Sequence, residues 1–513
     1  NANQIADTAA VTLLADGRFD LNSQNVTVGS VATASSAANI QLGSGTLTTG
    51  GSNASTDFAG TIAGTGGSLI KAGTGNLTLS GTNTYTGTTN VNDGTVTLAN
   101  SSALGTTAGG TTVNSGATLA LQNNISVASE VLTLNGVLVN NSGTNSYAGT
   151  ISGTGTVAVT TGELTLSGAA ANTYAGVTTV KDGTLTLAKT AGLNAVAGNL
   201  TIGDGSGAAS SAIVQLTNAN QIADTAAVTL QADGRFNLNN QNETVGTVAS
   251  ASSAASIQLG TGTLTLAGNN NYAGATNVTS GAVKVTHNNG LAGTGVTVSN
   301  GAALQFAQNA AAANISVVGV GATISGTGLS NGGAIQNLNG DNSYAGNVTL
   351  AANSRITANS GSTLTNTGSV TGAGFALDAG GVGNTTYNGV ISGSGTALNK
   401  TDMGTVTLEG SGANTFTGGL NVKDGTLNLN KTAGINALAA SGTVTVGDNI
   451  GAANSATLAL LASNQMPDST ALVLNSDGRI SMGTASDAIS TIAGTGQIDL
   501  GTTGKLTIGA DNS

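Results

Sequence analysis

The chain has 513 residues, of which only 7% are charged, and it holds 79 glycines, one proline and no cysteine. A typical globular chain is about 25% charged, so the composition excludes ordinary globular domains. Val, Ile and Thr in alternating runs also disfavour a disordered linker. The formal net charge of −11 disfavours nucleic acid and anionic membranes as partners, there is no disulfide framework, and no apolar run is long enough to predict a membrane span.

The first element is the opening segment, residues 1–22, which reads NANQIADTAAVTLLADGRFDLN. It returns almost unchanged over residues 218–239 and more loosely from residue 463. Each copy carries an Asp-Gly-Arg triple between two alternating runs. Asp-Gly is a strong tight-turn signal because glycine accepts positive φ. The triples therefore predict turns between strands.

The next element is the unit Asn76–Leu98, in which two short alternating strands flank a Gly/Asn/Thr-rich connection with one aromatic residue, Tyr85. Gly87, Val91 and Gly94 follow this tyrosine at +2, +6 and +9. The same spacing recurs around three further aromatic residues: Tyr174 with Gly176, Val180 and Gly183; Tyr272 with Gly274, Val278 and Gly281; and Phe416 with Gly418, Val422 and Gly425. One structural unit is repeated along the chain.

Shorter variants of this unit surround Phe58, Tyr147 and Tyr387. All six tyrosines and two of the phenylalanines occupy one aromatic-x-Gly position. A position repeated in this way favours a structural role, and we expect a ladder of packed aromatic rings at a corner of the fold. A row of rings that stacks on carbohydrate is the alternative.

The pattern as a whole predicts an all-β fold. Strands of three to five residues alternate inward and outward, turn residues follow every six to ten residues, and helical periodicity is missing. Coils of about 20 residues fit a parallel β-helix of roughly 25 rungs, where a rung is one winding of the solenoid. At about 4.8 Å per rung this predicts a rod some 120 Å long. We expect one continuous repeat domain over residues 1–513, cut from a longer repeat protein.

The run from Lys71 to Val96, KAGTGNLTLSGTNTYTGTTNVNDGTV, resembles the passenger-associated strand repeat of bacterial autotransporters, and Lys400–Leu427 resembles it nearly as well. The resemblance implies a right-handed β-helix exposed outside a Gram-negative-type cell. It marks architecture and export, and it implies no activity.

Catalytic residues are scarce. His287 is the single histidine, and we interpret it as a solvent-facing turn residue, because no cysteine or second histidine is present to share a metal site and the serines show no nucleophile motif with triad partners. Polysaccharide-cleaving β-helices group Asp with Lys or Arg on one face, whereas the acids and bases of this chain are scattered singly in sequence. We expect no enzyme activity and no cofactor.

Calcium is a weaker hypothesis. Asp204 and Asp224 are separated by about the length of one predicted rung, and Asp448 and Asp468 have the same separation. If one rung does lie between them, each pair would stack and would need a bridging cation to relieve its repulsion. Solvated turn acids are the alternative.

Threonine pairs could form a hydroxyl array like that of ice-binding β-helices. Thr95 and Thr97 flank an inward valine, and three similar pairs begin at Thr184, Thr263 and Thr405. Because several predicted rungs separate each of these copies from the next, we expect no contiguous array and attribute the threonines to β-propensity.

The sequence thus favours a non-catalytic extracellular rod, structural or adhesive, in a secreted bacterial surface protein. A subunit of an extracellular filament or surface matrix is the alternative of a different class. The expected partners are another copy, end to end or side by side, or the surface of a host or neighbouring cell. We expect no nucleic-acid binding and no membrane insertion by this region.

Overall fold

A computed structural model describes residues 4–250, 252–309, 311–439 and 442–509. Its strands form a parallel β-solenoid of about 24 turns, which confirms the predicted fold class. The first three and last four residues of the predicted domain lie outside the described residues. The chain divides into two compact units, Asn1–Gln258 and Leu259–Ser513, and the single continuous domain stays a prediction.

The alternation of apolar and polar residues explains why these segments form strands. In Asn76–Leu79 the two leucines are buried and the two polar residues face outward. This strand pairs in parallel with Thr95–Leu98, which pairs in turn with Thr118–Leu121. Leucine therefore lies on leucine through successive rungs, and each rung hydrogen-bonds to its neighbours. The core of each unit is this inward stack of aliphatic side chains.

Unit 1 contains five sheets and one further strand, Glu243–Val245. Its main ten-stranded sheet runs through Thr56–Phe58, Asn76–Leu79, Thr95–Leu98, Thr118–Leu121, Val137–Asn140, Thr156–Val159, Thr178–Val180, Leu200–Ile202, Ala227–Leu230 and Thr247–Ala249. One seven-stranded sheet runs through Val26–Thr27, Thr46–Thr49, Ser68–Lys71, Thr89–Val91, Thr111–Val113, Leu132–Leu134 and Ile151–Ser152. The other runs through Ser126–Val127, Thr144–Tyr147, Glu163–Gly168, Gly183–Lys189, Ala212–Leu216, Gly234–Asn237 and Ser256–Gln258. Two small sheets hold Arg18–Asp20, Asn39–Gln41 and Thr61–Ala63, and Ala10–Thr12 with Ser30–Ala32.

Unit 2 has the same construction. Seventeen of its strands join in one large sheet: Thr263–Leu266, Thr276–Val278, Ala282–Val285, Val296–Val298, Ala303–Phe306, Ala322–Gly326, Ile335–Asn337, Val348–Ala358, Val370–Gly372, Leu377–Gly381, Ile391–Gly393, Leu398–Lys400, Thr415–Phe416, Leu420–Val422, Thr443–Val446, Ala471–Leu474 and Thr491–Gly494. A nine-stranded sheet holds Ser316–Val317, Asp341–Tyr344, Thr363–Asn366, Asn384–Tyr387, Thr405–Gly410, Gly425–Lys431, Ala456–Leu460, Gly478–Ser481 and Gln497–Asp499. Ser486–Ile489 pairs with Lys505–Ile508. A 3₁₀ turn, Leu329–Asn331, is the only helical element among the described residues, and none of their helices could cross a bilayer.

Rungs differ in length. Asn76 pairs with Thr95 on the next rung, whereas Leu200 pairs with Val228, so the second rung is almost half as long again as the first. The longer rung includes the exposed loop 204–209. The predicted rung of about 20 residues is therefore right for the repeat units and wrong where such a loop is inserted.

Equivalent positions of the repeat lie on different faces in unit 1. The strand Thr89–Val91 after Tyr85 belongs to a seven-stranded sheet, paired with Thr111–Val113. The equivalent strand after Tyr174, Thr178–Val180, belongs to the ten-stranded sheet, paired with Leu200–Ile202. The repeat has thus moved by one face between these two copies, so its period is not a whole number of rungs.

Candidate functional site

The repeated aromatic residue lies inside the core in most copies, and only Tyr272 among the tyrosines is half-buried. Tyr85 is fully buried, and its hydroxyl lies 2.5 Å from the Thr89 hydroxyl. The pairs Tyr174–Thr178 and Tyr272–Thr276 repeat this bond at 2.6 and 2.8 Å. Burial raises the pKa of the Tyr85 hydroxyl well above its ordinary value. A ring enclosed in this way cannot stack on a sugar.

The expected ladder of aromatic rings does not form. Among the described residues one pair of rings is in contact, Phe306 and Tyr344, with centroids 5.3 Å apart. Between Tyr344 and Tyr387, which lie on one sheet, the intervening rung carries Asn366 at this position, and between Tyr85 and Tyr174 the repeat changes face, so these rings are kept apart. Tyr147, for example, lies in register between Val127 and Leu166.

The residue four positions after the tyrosine determines which group the tyrosine hydroxyl bonds to. Where threonine is absent, the Tyr147 hydroxyl donates to the Glu130 carbonyl at 2.9 Å and the Tyr344 hydroxyl to the Val320 carbonyl at 2.5 Å. The Tyr387 hydroxyl is buried without a hydrogen-bond partner. Phe416, which has no hydroxyl, is followed at +4 by Leu420.

Sequence reasoning missed the asparagine two positions before the aromatic. The Asn83 side chain accepts a hydrogen bond from the Ile62 amide at 2.8 Å and donates one to the Ala103 carbonyl at 2.5 Å. Because these groups belong to the preceding and following rungs, one amide joins three rungs. Asn172 and Asn414 make the same two bonds. The recurrent Asn-x-aromatic triplet was the signal that could have revealed them.

Glycine is required at the +2 and +9 positions of the repeat for two different physical reasons. A Cβ atom on Gly87 would collide with the Gly67 carbonyl of the preceding rung, so the +2 position needs close backbone approach. Gly94 has φ +64°, a left-handed conformation that suits glycine. The +6 valines Val91, Val180 and Val422 are buried in the core.

Buried lysines close the turns that begin two of the units. The Lys400 ammonium donates to the carbonyls of Thr401, Asp402 and Asp424 at 2.8, 2.5 and 2.8 Å. Burial lowers its pKa to about 8, although Asp402 and Asp424 act in the opposite direction. Lys71 bonds to the carbonyls of its own turn in the same manner. These lysines join backbone segments and are not available to a ligand.

The aspartates of the second and third Asp-Gly-Arg triples anchor the inserted loops. The buried Asp233 carboxylate accepts bonds from the amides of Asp204 and Gly205 at 3.3 and 2.8 Å. Asp477 does the same for Asp448 and Asn449. The turns themselves are where the sequence predicted them, immediately before strands that begin at Gly234 and Gly478.

The four aspartates proposed for calcium do not form stacked pairs. The rung from Leu200 to Val228 is longer than the interval between Asp204 and Asp224, so Asp224 does not lie over Asp204. The rung from Val444 to Leu472 is longer in the same way, so Asp468 does not lie over Asp448. Within the described residues, no three side chains among His, Asp and Glu converge on a point that could hold a metal ion.

A chain of buried polar groups crosses consecutive rungs in each unit. In unit 1 the Glu243 carboxylate accepts from the Gln221 amide at 2.7 Å, and the Gln221 side chain accepts from the Lys189 amide at 2.8 Å. Asp487, Gln465 and Lys431 repeat these bonds in unit 2. Burial raises the pKa of Glu243 to about 7, with a smaller contribution from Asp224. The buried carboxyl of Glu130 also has a raised pKa because of burial.

Outward side chains provide the remaining surface. His287 caps its own turn, its Nδ1 accepting from the Asn289 amide at 3.1 Å. On the nine-stranded sheet of unit 2, two rows of threonine and asparagine lie in register on consecutive rungs. The four threonine pairs named from the sequence lie on four different sheets and do not adjoin one another; the rows on this sheet join Thr405 and Thr407 with residues that the sequence analysis did not consider.

The architecture is a parallel β-solenoid in which repeated motifs recur along the stack of rungs. Four segments, residues 69–98, 161–187, 257–285 and 398–429, match the family described as the passenger-associated-transport-repeat. These repeats and the solenoid fit an autotransporter passenger-like β-helix, which confirms the resemblance drawn from the sequence. No curated protein matches the chain, and no solved structure does either.

Proposed function

We propose that this chain is a non-catalytic structural or adhesive region of a secreted bacterial surface protein, exposed outside the cell. One observation carries the proposal: the groups that recur in the repeat are committed to the fold. The Tyr85 and Tyr174 hydroxyls bond to a threonine four residues further on, and the Asn83-type amides and the Lys400 ammonium bond to neighbouring rungs. The repeat family itself suggests a structural role. Recognition is thereby left to outward side chains.

The test uses cells that produce the protein. Antibody labelling and protease treatment of intact cells should find the chain outside the cell, and beads coated with the purified chain should bind a cell surface or a second set of coated beads. Beads carrying a repeat protein of similar charge are the control. Retention of the chain inside intact cells, or turnover of a polysaccharide by the purified chain, would contradict the proposal.

The bead assay also distinguishes the two expected kinds of partner, a second copy of the chain and the surface of another cell. Aggregation of coated beads with one another indicates self-association, as in a filament or matrix. Attachment to other cells without bead aggregation indicates an adhesin.

A further inference from the structure

The nine-stranded sheet of unit 2 presents an uncharged polar lattice. We call it the threonine face and define it by Thr363, Thr365, Asn384, Thr386, Thr405, Thr407, Thr426, Asn428 and Thr457. Register aligns these residues in two rows: Thr363, Asn384, Thr405, Thr426 and Thr457 in one, and Thr365, Thr386, Thr407 and Asn428 in the other. Rungs lie about 4.8 Å apart, and residues i and i+2 on a strand about 6.7 Å apart. The lattice thus has two regular rows over four rungs, and one of the rows continues to a fifth rung.

Most of its polar groups are not committed to the fold. The Asn428 amide donates to the Thr407 hydroxyl at 3.3 Å, and the Thr457 hydroxyl lies 3.5 Å from the Asn454 carbonyl. The hydroxyls of Thr363, Thr386 and Thr405 have no hydrogen-bond partner within the described part of the chain. This contrasts with the buried threonines of the repeat corner, whose hydroxyls bind tyrosine. Free hydroxyls beside methyl groups offer both hydrogen bonds and apolar contact to a ligand.

The corresponding sheet of unit 1 differs in charge and bonding. Its outward rows include Glu163, Ile213 and Arg235, and the Thr186 hydroxyl donates to the Glu163 carboxylate at 2.9 Å. On the threonine face, charges lie only at the margins, with Asp341 and Arg479 at the two ends of one row and Glu409 beside the other. The uncharged lattice is therefore not a general property of the solenoid surface.

We infer that the threonine face binds neutral polysaccharide, and this inference rests on the proposed surface function. The face has no charge with which to hold an acidic polymer, and the net charge of −11 repels one. A second copy is disfavoured because a lattice of about 20 by 10 Å offers far less than the roughly 800 Å² per partner of a stable protein interface. An extended β-linked glucan advances per sugar by nearly one rung, so successive sugars meet successive rungs. Affinity then comes from many weak contacts along one polymer.

The experiment is affinity gel electrophoresis of the full chain in soluble cellulose ether and in mixed-linkage β-glucan, with alginate as the acidic polymer. Both neutral glucans should retard the chain, and alginate should not. Thr386→Lys with Thr405→Lys should weaken retardation at least tenfold, because charge then lies in the middle of the lattice. Thr165→Lys, at an outward position of the corresponding sheet in unit 1, should leave it unchanged. Thr386→Val with Thr405→Val tests the hydroxyls without adding charge and should weaken retardation several-fold.

Several outcomes overturn the inference. These are no retardation by either neutral glucan, equal retardation by alginate, or equal weakening by Thr165→Lys. Thermal hysteresis without glucan binding would assign the lattice to ice instead. If coated beads still attach to cells while neutral glucans do not bind, the inference fails and the proposed function stands. If neither binding occurs and the chain is found inside the cell, both fail.

Discussion

The hydroxyl of Tyr85 provides the sharpest test of how the repeat is stabilised. Tyr85→Phe removes the 2.5 Å bond to Thr89 and leaves the fully buried Thr89 hydroxyl without that partner. A buried group that loses its partner costs about 1–3 kcal/mol. We expect the local opening equilibrium of these rungs to rise by about 5- to 150-fold.

Tyr387→Phe is the matched control. The Tyr387 hydroxyl is equally buried but has no partner, so its removal leaves nothing unpaired. Protection of the rung around Tyr387 should stay the same or increase. Phe416→Tyr completes the set, because it adds a hydroxyl next to Leu420 and should reduce protection locally.

Hydrogen exchange measured by mass spectrometry is the assay, since a solenoid opens locally and the effects should be confined to the altered rung and its neighbours. Peptides that cover residues 80–100 report on Tyr85, and peptides that cover residues 380–395 report on Tyr387. Equal loss of protection in the Tyr85→Phe and Tyr387→Phe variants would refute the reasoning, because it would show that the hydroxyl bond to threonine contributes nothing.

Four further substitutions test the other buried polar groups. Asn83→Ala removes the link among three rungs and should destabilise them by about 2–4 kcal/mol, seen as lost exchange protection on both neighbouring rungs; an effect on its own rung alone would argue against the link. Lys400→Met should cost about 3 kcal/mol in urea denaturation because three carbonyls lose a charged donor, whereas the exposed neighbour Lys423→Met should change stability by less than about 0.5 kcal/mol. Burial raises the pKa of Glu243 to about 7, so the stability that its protonated carboxyl contributes is complete below about pH 4.5 and is lost as pH rises through 7. Between pH 4.5 and 8 the free energy of unfolding of the wild type should therefore fall by about 3 kcal/mol relative to that of Glu243→Gln. Parallel curves of stability against pH for the two proteins would contradict this. Asp233→Ala should release the loop 204–209 and expose it to proteolysis while the strands stay protected, and an equally resistant loop would refute the anchoring role.

The sequence was sufficient for the fold because its strongest signals are local. Alternation in segments such as Asn76–Leu79 sets which side faces inward, and glycines such as Gly94 mark turns that need positive φ. A parallel stack then follows, because each rung repeats the same alternation and can bury it only against its neighbours.

The hydrogen bonds of the buried polar side chains could not be predicted from local sequence in the same way. Asn83 bonds to groups on the rungs before and after its own, and such links depend on rung length. Rung length in turn depends on inserted loops, which is why the supposed stacking of Asp204 with Asp224 was wrong. The threonine face was missed for a related reason: the pairs at Thr363 and Asn384 lie outside the most regular repeats, and only their register with Thr405 brings them together.

The displacement of the repeat by one face between Tyr85 and Tyr174 has a consequence for how such genes change. If recombination removed or duplicated the segment between those two tyrosines, everything that follows within unit 1 would be turned by one face as well as moved along the axis. Inward leucines and valines would still meet aliphatic neighbours, since each face carries such residues. Outward residues would be presented in a new direction, so a change in copy number alone could redirect a binding surface without altering a single residue in it.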